Sequence, residues 1–202
     1  KIYTYWELFI VFHFFVYAKI WLKVLAKIGV HNPYSVKAIY QKYNIHESNT
    51  SDLNDPKFVA QLKSMNIDIV LSVSPPQLFE APLLKVANKV CLNAHGTLLP
   101  RHRGVFGSWW MLNENDAEIG STIHSMEEKL DAGEIVWQKA VPMPSNPTQY
   151  SIAHCTKKLL AQGIIETLGT INKDELVAIP KRYNESYHRA PTKEQGRAFH
   201  KA

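Results

Sequence analysis

The chain is poor in the features that would set it apart from ordinary globular proteins. Two cysteines and nine glycines in 202 residues, with no repeat and no Gly/Ser- or Pro-rich tract, exclude a disulfide-stapled miniprotein, a collagen-like rod and a disordered tail. No CxxC, HxxxH or HExxH spacing occurs, so the usual sequence signatures of redox dithiols and zinc hydrolases are missing. No block of five basic residues occurs, and the net charge of +5 is scattered. It favours anionic substrates or partners, such as phosphates or nucleic acid, without marking a binding stripe. There is no signal segment with a small-residue cleavage site, and the chain opens on Lys1 instead of Met, so it reads as a fragment or a trimmed product. What remains is a sequence that is 46% apolar, enough for one domain with a substantial core. Cys91 and Cys155 lie in apolar surroundings, as reduced, buried thiols of a cytoplasmic protein do.

From Leu8 to Ala18 every residue except His13 is apolar, but Glu7 and Lys19 bracket the run, which falls short of the roughly 20 residues that span a bilayer. Lys19, Lys23 and Lys27 then recur at helical spacing. Residues 1–30 therefore read as an amphipathic helix, either buried against the domain or a subunit or resting on a membrane surface with snorkelling lysines. Ser35 to Tyr43 looks helical. Asn54-Asp55-Pro56 reads as a cap and first turn, followed by an apolar face of Phe58, Val59, Leu62 and Met65. Ile67 to Val73 reads as a short buried parallel strand. Val90 to His95, Ser121 to Met126 and Ile135 to Val141 are further strands. Gly107 to Asn113 is a candidate helix carrying Trp109 and Trp110, and Pro147 to Leu168 a long helix. Strands alternating with helices make an α/β domain with a mostly parallel sheet over residues 31–170. Residues 171–202 read as an irregular tail with a terminal helix at Thr192 to His200.

In such sheets chemistry collects where strands end at their carboxyl edge. Asn93 and His95 sit at one such end, two residues apart, and so project to the same side. An amide N–H and an imidazolium N–H aimed at one point can stabilise an oxyanion. They can equally be a pair of satisfied polar groups. Asp131, in Leu130-Asp131-Ala132-Gly133, can orient an imidazole and assist proton movement, or simply cap its own turn. Gly133 would let that loop approach a ligand closely. Thr122 and His124 are again two apart on a strand feeding the loop, and either line the same crevice or support it. Arg101 and Arg103 are candidates for holding a substrate anion, or are a solvated basic loop.

Together these pieces resemble a known family. Asn93-Ala-His95-Gly-Thr-Leu-Leu-Pro-Arg-His-Arg-Gly104, then Gly120-Ser-Thr-Ile-His124, then Leu130-Asp131-Ala-Gly133-Glu-Ile, look like the catalytic core of the folate-dependent formyltransferases. The resemblance runs from about Ile67 to Val141. It implies a Rossmann-like formyltransferase domain in which a primary amine attacks the formyl carbon of 10-formyltetrahydrofolate through a tetrahedral intermediate, with no metal. By position, Asn93 and His95 match the oxyanion-stabilising pair, His95 as imidazolium, and Asp131 matches the carboxylate that partners the histidine. Thr122 matches a hydroxyl that holds an ordered water. The folate would lie against Gln77, Leu78 and Phe79 and against Glu127, Glu128, Lys129 and Leu130.

Family members open on a strand and a loop that nothing in Lys1 to Gly29 resembles, so the first strand-helix unit is expected to be absent. The tail is too short for the tRNA-binding β-barrel domain of methionyl-tRNA formyltransferase, and Tyr187 to Glu194 is more like the ending of smaller formyltransferases. The expected acceptor is a small anionic amine such as a nucleotide sugar. Methionyl-tRNA and a non-catalytic folate-binding fragment are the alternatives, and a homodimer is compatible with the sequence. The competing class is a metal-dependent hydrolase drawing ligands from Cys91, His95, His102, His124 or Asp131.

Overall fold

A computed structural model of the chain describes residues 5–16 and 36–201. Two compact units divide near Ser51 and Asp52. The first contains helices α1 (Tyr5–Val16) and α2 (Val36–Lys42). α1 is apolar on every side, and Trp6, Leu8 and Phe12 are exposed. The lysine stripe and the stretch expected to replace the family's opening strand lie largely outside the described residues. Among the described residues no helix is long and apolar enough to cross a membrane.

The second unit opens with α3 (Pro56–Ser64). Asp55 caps it, its carboxylate accepting from the backbone N–H of Lys57 at 2.8 Å and of Phe58 at 3.1 Å, while Pro56 sits where no N–H donor is needed. Phe58, Val59 and Leu62 are half-buried, and Met65, beyond the last turn, is exposed. Asp55→Ala removes two capping bonds and is expected to cost about 1 kcal/mol, a fall in Tm of about 2–4 °C readable in a thermal melt.

β1 (Ile69–Val73), α4 (Ala81–Leu84) and β2 (Val90–His95) follow, then β3 (Arg103–Gly104), α5 (Gly107–Asn113), β4 (Glu118–Ser125), β5 (Ile135–Pro142), α6 (Gln149–Asn172), β6 (Tyr187–His188) and α7 (Lys193–Lys201). The main sheet has the order β1-β2-β4-β5. β1 and β2 are parallel, whereas β2–β4 and β4–β5 are antiparallel. The α/β class is as expected, and the sheet is mixed where its described strands were expected to run mostly parallel. The short connection from Met126 to Glu134 explains the β4–β5 pairing, because a parallel crossover needs about a dozen residues or more. β1 lies at an edge of the described sheet and is half-buried, with Val73 exposed. β3 and β6 form a separate parallel pair, which brings the segment after α6 back onto the domain.

α6 holds the sheet. Ile152, Thr156, Leu160, Gly163, Thr167 and Ile171 are buried at intervals of three and four residues, a single stripe down one face. Leu160 and Ile171 join Leu92 and Ala94 of β2 and Ile123 of β4 in one core cluster. Thr148 starts the helix with a reciprocal box, each hydroxyl of Thr148 and Ser151 accepting from the other's backbone N–H. Since strand side chains alternate, packing Leu92, Ala94 and Ile123 against α6 sends Asn93, His95, Thr122 and His124 to the opposite side.

Candidate active site

The antiparallel register sets Asn93 directly across from His124 and His95 across from Thr122. Asp131, on the β4–β5 connection, closes the group from a third direction. Its φ of +49° is a left-handed conformation that Asp tolerates better than most residues. Its Oδ2 accepts from the Gly104 N–H at 2.8 Å. Its Oδ1 lies 3.4 Å from Asn93 Nδ2, 3.5 Å from His124 Nε2 and 3.7 Å from His95 Nδ1. Three residues from two strands thus converge on one carboxylate.

The hydrogen-bond partners assign the protons. His95 Nε2 faces the His102 carbonyl at 3.1 Å, and a carbonyl only accepts, so Nε2 carries hydrogen and Nδ1 turns its lone pair towards Asp131. His124 Nδ1 donates to the Ser125 carbonyl at 2.7 Å. His124 Nε2, 3.2 Å from Asn93 Nδ2, accepts from Asn93 when the ring is neutral and donates to Asp131 when it is protonated. With the His124 ring neutral, one Asn93 N–H is held by His124 and the other lies in the longer 3.4 Å contact with Asp131, while Asn93 Oδ1 is buried without a partner.

Burial pushes the His95 pKa below its ordinary value, opposed by the Asp131 charge and the His102 carbonyl. Desolvation outweighs the neighbouring carboxylate and favours the neutral ring over the imidazolium that the resemblance implies. For Asp131 the balance is reversed. Burial alone would raise its pKa, but the contacts with His124, His95 and the Gly104 N–H hold it below the usual carboxylate range. Cys91, two residues before Asn93 on the same side of β2, is a thiol that burial pushes up to about 11, and it is no nucleophile at neutral pH.

A cavity of about 490 Å³ opens over Asn93, His95 and Asp131, walled by residues 74–78 on one side and by Ala153, Thr156 and Lys157 of α6 on another. A narrow cleft of about 50 Å³ adjoins it and brings together Gln77, Leu78, Phe79, Glu127, Glu128 and Leu130, six of the seven residues expected to wall the folate. The seventh, Lys129, lines a different hollow of about 120 Å³ with Arg103 and Glu185.

Other expected residues serve the scaffold. The Thr122 hydroxyl donates to the Thr97 carbonyl at 2.7 Å and accepts from the Leu99 N–H at 3.1 Å and from Gln138 Nε2 at 2.9 Å. Its one donor and two lone pairs are spent, so it pins the loop after β2 where the resemblance had it holding a water. Arg103 is buried, its Nε donating to the Leu130 carbonyl at 3.0 Å and its terminal nitrogens reaching Leu130 and Glu185. It fastens the Asp131 loop, and its donors face protein groups. Arg101 stacks 4.8 Å over the Tyr183 ring, with Nε 3.6 Å from Asp116 Oδ2. Gly133 packs against the end of β4: a Cβ there would lie 1.9 Å from the Ser125 carbonyl oxygen, so the close approach it allows is to protein.

Sequence reasoning missed the tail's part. Ser186 accepts from the His102 N–H through Oγ at 2.8 Å and from the Arg103 N–H through its carbonyl at 2.9 Å, and donates its own N–H to the Pro100 carbonyl at 3.1 Å. It also missed Lys157, whose sole signal was its place beside the buried stripe of α6.

Residues 25–168 match the family model described as Formyl transferase. The chain is 32% identical over 127 residues to methionyl-tRNA formyltransferase of Synechococcus sp. (strain JA-2-3B'a(2-13)), a match covering 63% of this chain and 39% of that protein. It is 26% identical over 167 residues to methionyl-tRNA formyltransferase of Alkaliphilus oremlandii (strain OhILAs), covering 82% of this chain and 53% of that one. The chain thus spans about half the length, or less, of these relatives. Among solved structures, the formyltransferase PseJ from Anoxybacillus kamchatkensis, in complex with UDP-4,6-dideoxy-4-formamido-L-AltNAc and tetrahydrofolate, superposes with a TM-score of 0.65 at 21% identity, covering 82% of this chain and 86% of that one. A 4-N formyltransferase from Francisella tularensis gives 0.59 at 25% identity, covering 76% and 62%.

Proposed function

Because the chain belongs to the formyl transferase family, we propose that it moves a formyl group from 10-formyltetrahydrofolate to a primary amine of a small anionic acceptor of the nucleotide-sugar class. The observation that carries this reading is the convergence of Asn93, His95 and His124 on the Asp131 carboxylate, with Asn93, His95 and Asp131 lining the larger cavity.

The residues present suit the co-substrate. Leu78, Phe79 and Leu130 supply apolar walls for a flat ring beside the polar Gln77, Glu127 and Glu128, the mixture that small-molecule sites use. The unpartnered Asn93 Oδ1 supplies a buried acceptor awaiting a donor. When bound, the formylated folate provides the electrophilic carbon. Asn93 Oδ1 would accept from the attacking amine and orient it. The Asn93 N–H in the long 3.4 Å contact with Asp131 is the one free to turn to the formyl oxygen. Over the reaction one proton passes from the amine to the departing folate nitrogen. Neutral His95 takes it at Nδ1, and the imidazolium so formed is held between Asp131 and the His102 carbonyl before giving the proton up. Lys157 at the cavity wall offers a cation for the acceptor's phosphate.

A second reading, transfer to methionyl-tRNA, is favoured by the names of the curated relatives. Calorimetry with 5-formyltetrahydrofolate, followed by transfer assays from 10-formyltetrahydrofolate to a panel of nucleotide-linked aminosugars and to methionyl-tRNA, separates them. Folate binding with formylation of an aminosugar is the expected result. Formylation of the tRNA alone would replace the acceptor class, and folate binding without turnover on any acceptor would overturn the catalytic reading.

A further inference from the structure

Beside the β3–β6 pair, three side chains meet whose chemistry the proposed reaction leaves unused. His102 Nδ1, His188 and Glu114 present ligand-type atoms that all lie within 4.8 Å of one another. His188 Nε2 is 3.3 Å from Glu114 Oε1, and His102 Nδ1 is 3.9 Å from Glu114 Oε2. We propose that His102, His188 and Glu114 form a binding site for a divalent transition metal, zinc by donor type, that ties the tail strand β6 to the loop after β2.

Several independent features support this. His102 is 1% exposed, and its Nδ1 has no hydrogen-bond partner. His188 Nε2 is likewise buried and makes no hydrogen bond, facing Glu114 at ion-pair distance only. Two such nitrogens facing one carboxylate are costly to leave unsatisfied. The tautomer of His102 is set for ligation: its Nε2 donates to Asp116 Oδ2 at 2.8 Å, which leaves the lone pair on Nδ1. A carboxylate behind a metal-binding histidine is the usual outer partner in zinc sites, where it fixes the ring and raises its basicity. Asp116 also faces the Arg101 guanidinium at 3.6 Å, which holds the carboxylate from behind. The His188 ring is fixed as well, stacked on Trp110 at 4.2 Å between centroids, while Trp110 Nε1 donates to the Arg189 carbonyl at 3.1 Å.

Two imidazoles and one carboxylate match a known zinc donor set with a fourth position left to solvent. With bonds of about 2.0–2.1 Å, tetrahedral ligand atoms sit about 3.4 Å apart. The His188–Glu114 pair is already at that spacing, the His102–Glu114 pair is at 3.9 Å, and none of the ligand atoms is more than 4.8 Å from another. The three ligands come from the loop before β3, the C-terminal end of α5 and β6. A metal there would clamp β6 onto β3, next to Gly104, whose N–H holds Asp131.

The test uses the full chain stripped of metal by chelator and titrated with Zn²⁺ alone, by calorimetry and thermal melting, with Co²⁺ absorption as a report of coordination. The expected result is one Zn²⁺ per chain and a Zn²⁺-dependent rise in Tm. Glu114→Gln, at an exposed side chain that leaves folding intact, and His188→Gln should abolish both. Asp116→Asn should weaken binding by about 10- to 100-fold. Absence of stoichiometric binding, or binding and Tm shifts that survive in Glu114→Gln and His188→Gln, would show that any zinc is held by other histidines and would overturn the assignment.

Discussion

His95→Ala is expected to lower kcat for formyl transfer by about 10²- to 10⁴-fold, the range of a lost general acid–base group, while affinity for 5-formyltetrahydrofolate stays close to that of the parent chain. The separation follows from placement. His95 lines the large cavity beside Asp131 and is not among the walls of the narrow cleft proposed for the folate. The pH profile gives a second readout. His95 has to be neutral to accept a proton, so kcat/KM is high above its pKa and falls as pH drops through it. Burial lowers that pKa, so the acid limb should lie below the ordinary histidine value of about 6.5. Asp131, itself held low, stays ionised throughout that range. In His95→Ala the limb should vanish. Full activity in the variant, or an unchanged limb, would refute the role given to His95.

The second large effect is structural and is expected from Gly104→Ala. Gly104 has φ +99°, and a Cβ on it would lie 2.1 Å from the His188 carbonyl oxygen. The neighbour is backbone paired in the β3–β6 ladder, so it has little room to give. Strain at the dihedral and loss of the pairing together should cost about 3 kcal/mol, a Tm lower by about 6–12 °C. Activity should fall as well, since the Gly104 N–H holds Asp131 Oδ2. Gly169→Ala in α6 is the control. Its Cβ would meet nothing within 4 Å, and replacing a helical glycine gains up to about 1 kcal/mol. A Gly104→Ala variant as stable as the parent would show that the tail pairing contributes little to the fold.

Much of this molecule could be read from local chemistry. The Asp55-Pro56 cap, the β2 strand and the α5 and α6 helices follow from side-chain period and capping, and the structure places them within a few residues of expectation. Strand direction could not be read that way, because a short apolar run looks the same in parallel and antiparallel pairs. The tail was opaque for a related reason: Ser186 and His188 matter through backbone pairing with a loop far away in sequence, and pairing of that kind leaves no periodic trace.

At the site the division is sharper. That Asn93 and His95 share a side of one strand, and Thr122 and His124 of another, is determined by the sequence alone, because alternation in a strand is covalent geometry. Tertiary structure decided the rest. The β2–β4 register sets Asn93 against His124, and the turn after β4 carries Asp131 to both. Desolvation within the folded domain then favours the neutral form of His95. Folding likewise brings His102, Glu114 and His188 to within ligand distance, although no spacing in the sequence joins them. Contact, register and dielectric belong to the folded chain, since each depends on which distant residues exclude water from one another.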